Sequence, residues 1–177
     1  RRYPSFGKYL HAAHLNYLIR KYDVEVMQVI FSWSWVCAFP WITKKCLKII
    51  RCAGDDIQID HNLKYGIQRD DLVREIQREG FMHSDLNIAI SETVKSEYIR
   101  MGIEHSKIQV IYPGVKNSSF RTVENKTVLR NSLRLEIENK IIIGVGRNHP
   151  KKRFKDLLSA LSILNKTNNK YKLVILK

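Results

Sequence analysis

The chain has 177 residues, of which 44% are hydrophobic, and its formal net charge is +14. This length suggests one domain or two small ones, and the composition is that of a folded protein rather than a disordered segment. No uncharged apolar run approaches the ~18 residues that a membrane-spanning helix needs. The positive charge favours an anionic partner, namely a phosphorylated ligand, a membrane surface or nucleic acid, although a lysine-rich solvated surface also explains it.

The first two thirds of the chain predict helices and strands in alternation. In chain order, we predict a helix at 6–22, strands at 24–31 and 47–52, a helix at 69–80, a strand at 85–90, a helix at 91–102 and a strand at 107–112. The helix after the third of these strands has Ser91 as its N-cap and ends at Gly102.

A polar segment without periodicity, 113–126, is the candidate inter-domain linker. After it we predict a helix at 127–135, a strand at 140–145, an amphipathic helix at 154–165 and a strand at 171–176. Strands that alternate with helices imply parallel βαβ units. Their nearly continuous apolar character implies sheets that are covered on both faces.

The cysteines and tryptophans predict no special chemistry. Cys37, Cys46 and Cys52 are odd in number and lack metal-binding spacing, so we expect buried reduced thiols rather than disulfides or a zinc site. Three tryptophans lie close together, at positions 33, 35 and 41. They either fill the core, which we favour, or form a platform for a sugar or a membrane.

The stretch IIIGVGRNHPKKRF, 141–154, places a glycine and cations directly after a strand. Ligands of doubly wound sheets bind at the carboxyl ends of strands. There Gly146 allows close approach of the backbone, while Arg147 and Lys152 carry charges suited to phosphate. The dinucleotide-binding GxGxxG pattern is incomplete, because His149 occupies its third glycine position. On spacing alone, the loop is either a phosphate site or a solvated basic loop.

Three motifs in order resemble those of family 4 glycosyltransferases of GT-B fold. GVGRNHPKKRF resembles the GRxxPxKG motif that opens their C-terminal domain. The segment 84–115, SDLNIAISETVKSEYIRMGIEHSKIQVIYPGV, is similar to the segment that joins their two domains. RCAGDDIQID and YGIQRD resemble an RxHGxDIQ…YG segment of their N-terminal domain. The resemblance covers roughly residues 24–177.

The resemblance implies an α/β fold of GT-B type, with two incomplete Rossmann-like parallel-sheet domains joined by a linker. Residues 1–112 would be the C-terminal part of the acceptor-side domain. Residues 113–139 would form the linker and the next helix, and 140–177 would begin the domain that binds the nucleotide sugar. We expect the chain to be the middle of a longer enzyme and to be inactive alone.

The resemblance also implies the roles of residues. Gly146, Arg147 and Lys152 would bind the diphosphate of the donor, and the family retains anomeric configuration without a metal or another cofactor. This chain departs from the pattern at Arg153, where relatives have glycine, and at Ala53, where many have histidine.

Asp56 follows a strand end and is the candidate catalytic residue that contacts an acceptor hydroxyl. The alternative is that Asp55 and Asp56 form a turn, which we slightly favour. With histidine absent from the RxHGxD position, Asp56 is the remaining polar candidate there.

The predicted function is therefore transfer of a sugar from a nucleotide-diphosphate sugar to a glycan or lipid-linked acceptor in cell-surface polysaccharide synthesis. We expect a cytoplasmic protein with peripheral contact to the anionic inner face of the cytoplasmic membrane, and no nucleic-acid partner. Two alternatives remain open: a non-catalytic basic module that binds nucleic acid or anionic lipid, and an inactive relative of the family.

Overall fold

The computed structural model describes residues 7–32, 34–117, 125–167 and 169–176. The chain divides into two compact units, 1–114 and 115–177, each with its own parallel sheet. The division lies in the segment predicted as a linker, part of which, 118–124, is outside the described residues. The assignment of these units as acceptor-side and donor-binding domains stays a prediction.

The first unit has a parallel four-stranded sheet in the order β1-β2-β3-β4. Its elements are α1 (Gly7–Tyr22), β1 (Val26–Ile30), a 3-10 helix (Ser34–Trp41), β2 (Leu47–Cys52), a 3-10 turn (Ile67–Arg69), α2 (Asp71–Met82), β3 (Leu86–Ala89), α3 (Glu92–Arg100), a 3-10 turn (His105–Lys107) and β4 (Ile108–Val110). Because crossovers between parallel strands are right-handed, the connecting helices lie on one face of this sheet. The α/β fold with parallel sheets is confirmed.

The core of the first unit lies between the sheet and these helices. Phe81 of α2 and Tyr98 of α3 are fully buried, and their ring centroids lie 5.2 Å apart with planes at 76°. Gly80 allows α2 to approach the 3-10 helix, because a Cβ there would clash with the Val36 carbonyl oxygen. Edge-to-face aromatic packing and this close approach fix α2 against α3 and the 3-10 helix.

Side chains cap two helices of the first unit, α2 and α3, at their N-termini. The Asp70 carboxylate accepts from the backbone N–H groups of Leu72 and Val73 at the start of α2. The Ser91 hydroxyl accepts from the Val94 N–H at 3.3 Å, which confirms its predicted role as a cap.

The second unit has two parallel strands, paired from Lys140↔Tyr171 to Val145↔Leu176. Its elements are α4 (Lys126–Ser132), β5 (Lys140–Val145), a 3-10 helix (Pro150–Lys152), α5 (Phe154–Thr167) and β6 (Tyr171–Leu176). The order of strand, loop, helix and strand is the βαβ unit that the sequence predicts.

The prediction that strands are covered on both faces is wrong for β5. Only Gly144 of this strand is buried, whereas Ile143 and Val145 are 62% and 68% exposed. None of the α5 residues, 154–167, is buried among those that the structure describes. Helix α5 packs on one face of this two-stranded sheet, and the apolar residues of the other face remain exposed.

The preference for core tryptophans is also wrong for the two that can be assessed. Trp35 and Trp41 are 42% and 40% exposed, while Trp33 lies outside the described residues. Trp41 packs its ring edge against Tyr9 of α1, with centroids 4.8 Å apart, and so lies at the surface rather than inside.

The predicted burial of the cysteines is confirmed at two of the three positions. Cys37 and Cys52 are buried, whereas Cys46 is partly buried.

Candidate functional site

The loop after β5 begins with a glycine in an unusual backbone conformation. Gly146 has φ of 145°, a region that residues with a side chain rarely adopt, and its N–H still donates to the Leu176 carbonyl at 3.0 Å. The sheet therefore holds this end of the loop through β6 while the glycine turns the chain away. The backbone conformation at position 146 therefore favours glycine by itself. The close approach of a ligand to Gly146 stays a prediction.

The side chain of Lys152 lies against Gly146. A Cβ at position 146 would lie 3.1 Å from the Lys152 Cε and 3.3 Å from its Cδ. The absence of a side chain at 146 leaves the space that the lysine stem occupies. Both cations therefore lie next to Gly146 at the carboxyl end of β5. The Lys152 side chain packs against this glycine, and the exposed Arg147 follows it in the sequence.

A short 3-10 helix, Pro150–Lys152, carries the lysine back toward the strand. Pro150 stands at its start, where a missing N–H costs nothing, and the His149 Nδ1 accepts from the Lys151 N–H at 3.2 Å. In the sequence, His149 stands out only because it occupies the third glycine position of the GxGxxG pattern. In the structure it caps the turn that positions Lys152, and this acceptor role requires an unprotonated Nδ1.

Arg153 adopts the left-handed conformation, with φ of 53° and ψ of 36°. The GRxxPxKG motif that this loop resembles has glycine at the matching position, and this conformation is the one that glycine adopts without strain. The Arg153 Nε lies 2.6 Å from the Asp156 Oδ2, but both side chains are largely exposed, so this ion pair offsets little of the strain.

We expect the Arg153→Gly protein to be more stable than the Arg153→Ala protein by about 1 kcal/mol, the lower end of the left-handed cost. Both substitutions remove the ion pair with Asp156, and only glycine also relieves the backbone. Urea unfolding of both proteins measures the difference. Equal stabilities would show that the left-handed conformation at this residue is not strained.

Helix α5 starts directly after this loop and is packed against the strand. A Cβ at Gly144 would lie 3.0 Å from the Phe154 Cε1 and 3.4 Å from the Leu157 Cδ2, so the glycine lets the helix approach β5 closely. The N-terminal end of a helix carries partial positive charge and unpaired N–H groups. The loop cations therefore adjoin a helix end that also favours an anion.

A cavity of about 820 Å³ adjoins the loop within the second unit. It is bounded by the loop 148–150, the first turns of α5 and the end of β6 at Ile175 and Leu176. Its lining does not include Arg147 or Lys152 among the described residues. The cavity is mostly apolar and lies beside the cations rather than between them.

The first unit buries Asp56 completely. Its Oδ1 accepts from the backbone N–H groups of Ala53 at 3.0 Å and Gly54 at 2.8 Å, and its Oδ2 accepts from the Ser32 N–H at 3.2 Å. The carboxylate thus ties the end of β1 to the end of β2. This geometry favours the turn interpretation, and the catalytic role of Asp56 stays a prediction.

A buried polar network surrounds Asp56 that sequence patterns did not indicate. The Gln68 side chain donates to the Asp56 carbonyl at 3.2 Å, and Gln77 of α2 donates to the Ser32 carbonyl and, at 3.1 Å, to its hydroxyl. Burial raises the pKa of the Cys52 thiol well above its usual range, and the Asp56 carboxylate raises it further. Cys52 is fully buried and packs as a small side chain of the core.

The described residues include no group of three or more His, Cys, Asp or Glu that could hold a metal ion. Within the same parts of the chain, no helix is both long and apolar enough to cross a membrane. Whether the reaction uses a metal stays a prediction.

Three solved structures have folds similar to that of this chain. The Anabaena protein HepE in complex with UDP has a TM-score of 0.65 at 13% identity, over 94% of this chain and 51% of its own. A glycosyltransferase from Rickettsia africae has a TM-score of 0.58 at 18% identity, over 100% of this chain and 53% of its own. Sucrose-phosphate synthase from Thermosynechococcus elongatus has a TM-score of 0.55 at 11% identity, over 94% and 49%.

The chain spans about half the length of these solved relatives. The comparison with curated proteins gives no significant match. The sequence model of Glycosyltransferase Family 4 matches residues 2–118, which include β1 to β4 and the Asp56 turn. With that match over most of the chain and parallel sheets like those of GT-B enzymes, the chain belongs to Glycosyltransferase Family 4.

Proposed function

We propose that the protein is a retaining glycosyltransferase that moves a sugar from a nucleotide-diphosphate sugar to a lipid-linked or polysaccharide acceptor in cell-surface glycan synthesis. The observation that carries this proposal is the contact of Lys152 with Gly146, beside Arg147 at the carboxyl end of β5. Membership of Glycosyltransferase Family 4 supports the reaction class.

The chemistry assigned to the two cations follows from where charge develops. As the bond between the sugar and the phosphate oxygen breaks, negative charge grows on the departing diphosphate. Cations fixed there bind the transition state more strongly than the ground state and so lower the barrier. Arg147 offers a planar fork of donors and Lys152 a compact charge, so together they suit several phosphate oxygens.

UDP is the first nucleotide to test, because the Anabaena relative was solved with UDP. The intact protein is incubated with a panel of nucleotide sugars, and release of nucleoside diphosphate is followed. We expect release from one or a few donors, unchanged by a metal chelator, and an NMR spectrum of the product that shows retained anomeric configuration. Release from none of the donors, with or without added metal, would contradict the proposal.

A lipid-linked acceptor would place the transfer reaction at a membrane surface. The net charge of +14 is of the right sign for an anionic cytoplasmic leaflet, so we propose a cytoplasmic protein in peripheral contact with that leaflet. Surface charges are screened beyond about 8 Å at physiological ionic strength, so binding to anionic vesicles should weaken as salt is added.

A further inference from the structure

We propose that the outward face of α1 is the surface that docks the protein on an anionic lipid leaflet. This inference rests on the membrane part of the proposed function and names the residues responsible. The face, here called the α1 outer face, consists of exposed residues: Tyr9, Leu10, Ala13, His14, Tyr17, Arg20 and Lys21.

The α1 outer face has helical spacing and lies opposite the packed side of the helix. Leu10 and Tyr17 are seven positions apart and each is 56% exposed, whereas Ala12 and Ile19 are buried. An apolar stripe on each side of one helix implies a second apolar environment besides the protein core. The described residues cover only the inner stripe.

The positive charge of α1 favours anionic lipid as the partner of this face. The helix contains no Asp or Glu, and it ends with the cations Arg20 and Lys21. Lys21 lies 5.4 Å from the Tyr17 ring centroid and 5.3 Å from that of Tyr22. Tyrosines with lysines beside them are typical of the water–lipid boundary, where rings enter the headgroup layer and cations meet anionic lipids.

Trp41 extends this surface beside the first turn of α1. Its ring packs on Tyr9, and the Lys8 ammonium lies 5.4 Å from its centroid. The Asn16 side chain fixes the segment that follows, since its Nδ2 donates to the Trp41 carbonyl at 3.1 Å and its Oδ1 accepts from the Thr43 N–H at 3.0 Å. The sequence favoured a core position for Trp41. In this proposal, its exposed ring enters the membrane interface.

The test measures binding of the intact protein to vesicles of phosphatidylcholine with about 30 mol% phosphatidylglycerol, against vesicles of phosphatidylcholine alone. Charge reversal in Arg20→Glu/Lys21→Glu is compared with Lys166→Glu/Lys170→Glu, an equal charge change at exposed residues in and after the last turn of α5. We expect at least about a tenfold loss of affinity for the first pair and less than about threefold for the second, since only charges near the lipid contribute.

Insertion is measured by brominated-lipid quenching of tryptophan fluorescence, because all three tryptophans lie within 33–41. Leu10→Ser/Tyr17→Ser keeps the charge and should abolish the quenching. Equal losses in both charge-reversal proteins, absent quenching in the unaltered protein, or self-association through α1 in place of vesicle binding would each overturn the inference. Every α1 variant should still release nucleoside diphosphate. If neither the unaltered protein nor the variants release it, the result counts against the proposed function and not against the docking face.

Discussion

Replacement of Arg147 by alanine in the active enzyme is expected to lower kcat by roughly 10²–10³, the scale for loss of one preorganised donor to a developing negative charge. Lys152→Ala should have a similar effect, because its stem rests against Gly146 and its position is fixed by packing. Neither substitution should change stability by more than about 0.5 kcal/mol, since both side chains are exposed. Steady-state kinetics with the preferred donor measure the loss.

The double variant should lose less than the product of the two single losses, because in the proposed mechanism both cations act on one departing diphosphate. Lys151→Ala is the matched control: it lies beside Lys152, is exposed, and has no counterpart in the motif. If all three single variants lost equally little turnover, the loop would be a solvated basic surface. The glycosyltransferase proposal would then lose the residues that carry it.

The order and type of the elements could be predicted because each rests on local patterns. The run 140–145 is apolar with β-branched residues, and 154–165 repeats leucines at helical spacing, so β5 and α5 follow from neighbours in the chain. Exposure of Val145 and Trp41 could not be predicted this way. Burial depends on how much of the chain packs above a residue, which local hydrophobicity does not report.

The candidate site could also be predicted only in part from the sequence. Resemblance placed Gly146, Arg147 and Lys152 in one loop, but only the structure shows the lysine stem against the glycine. The sequence also showed that Arg153 replaces a glycine, without showing that the residue is left-handed. The structural role of Asp56 could be predicted only in part, because its partner Ser32 lies 24 positions away, at the end of another strand.

Replacement of Asp56 by alanine is expected to lower the free energy of unfolding of the first unit by about 3–5 kcal/mol. The substitution leaves the buried N–H groups of Ser32 and Gly54 and the partly buried N–H group of Ala53 without their acceptor. Each unsatisfied buried donor costs about 1–3 kcal/mol, and water entering the space recovers part of this. Asp56→Asn should lose less, since its one remaining oxygen can still accept on one side.

Urea unfolding followed by tryptophan fluorescence measures this loss in the right unit, because every tryptophan lies within 33–41. Asp55→Ala is the control: it is the neighbouring carboxylate, only partly buried, and it should change stability by less than about 1 kcal/mol. The measurement separates the two roles considered for Asp56. A residue that holds the strand ends together destabilises the fold when it is removed, whereas an acceptor-side catalytic residue, if replaced, leaves a stable protein without turnover. An Asp56→Ala protein as stable as the unaltered one, with no sugar transfer, would therefore contradict the turn role and restore the catalytic assignment.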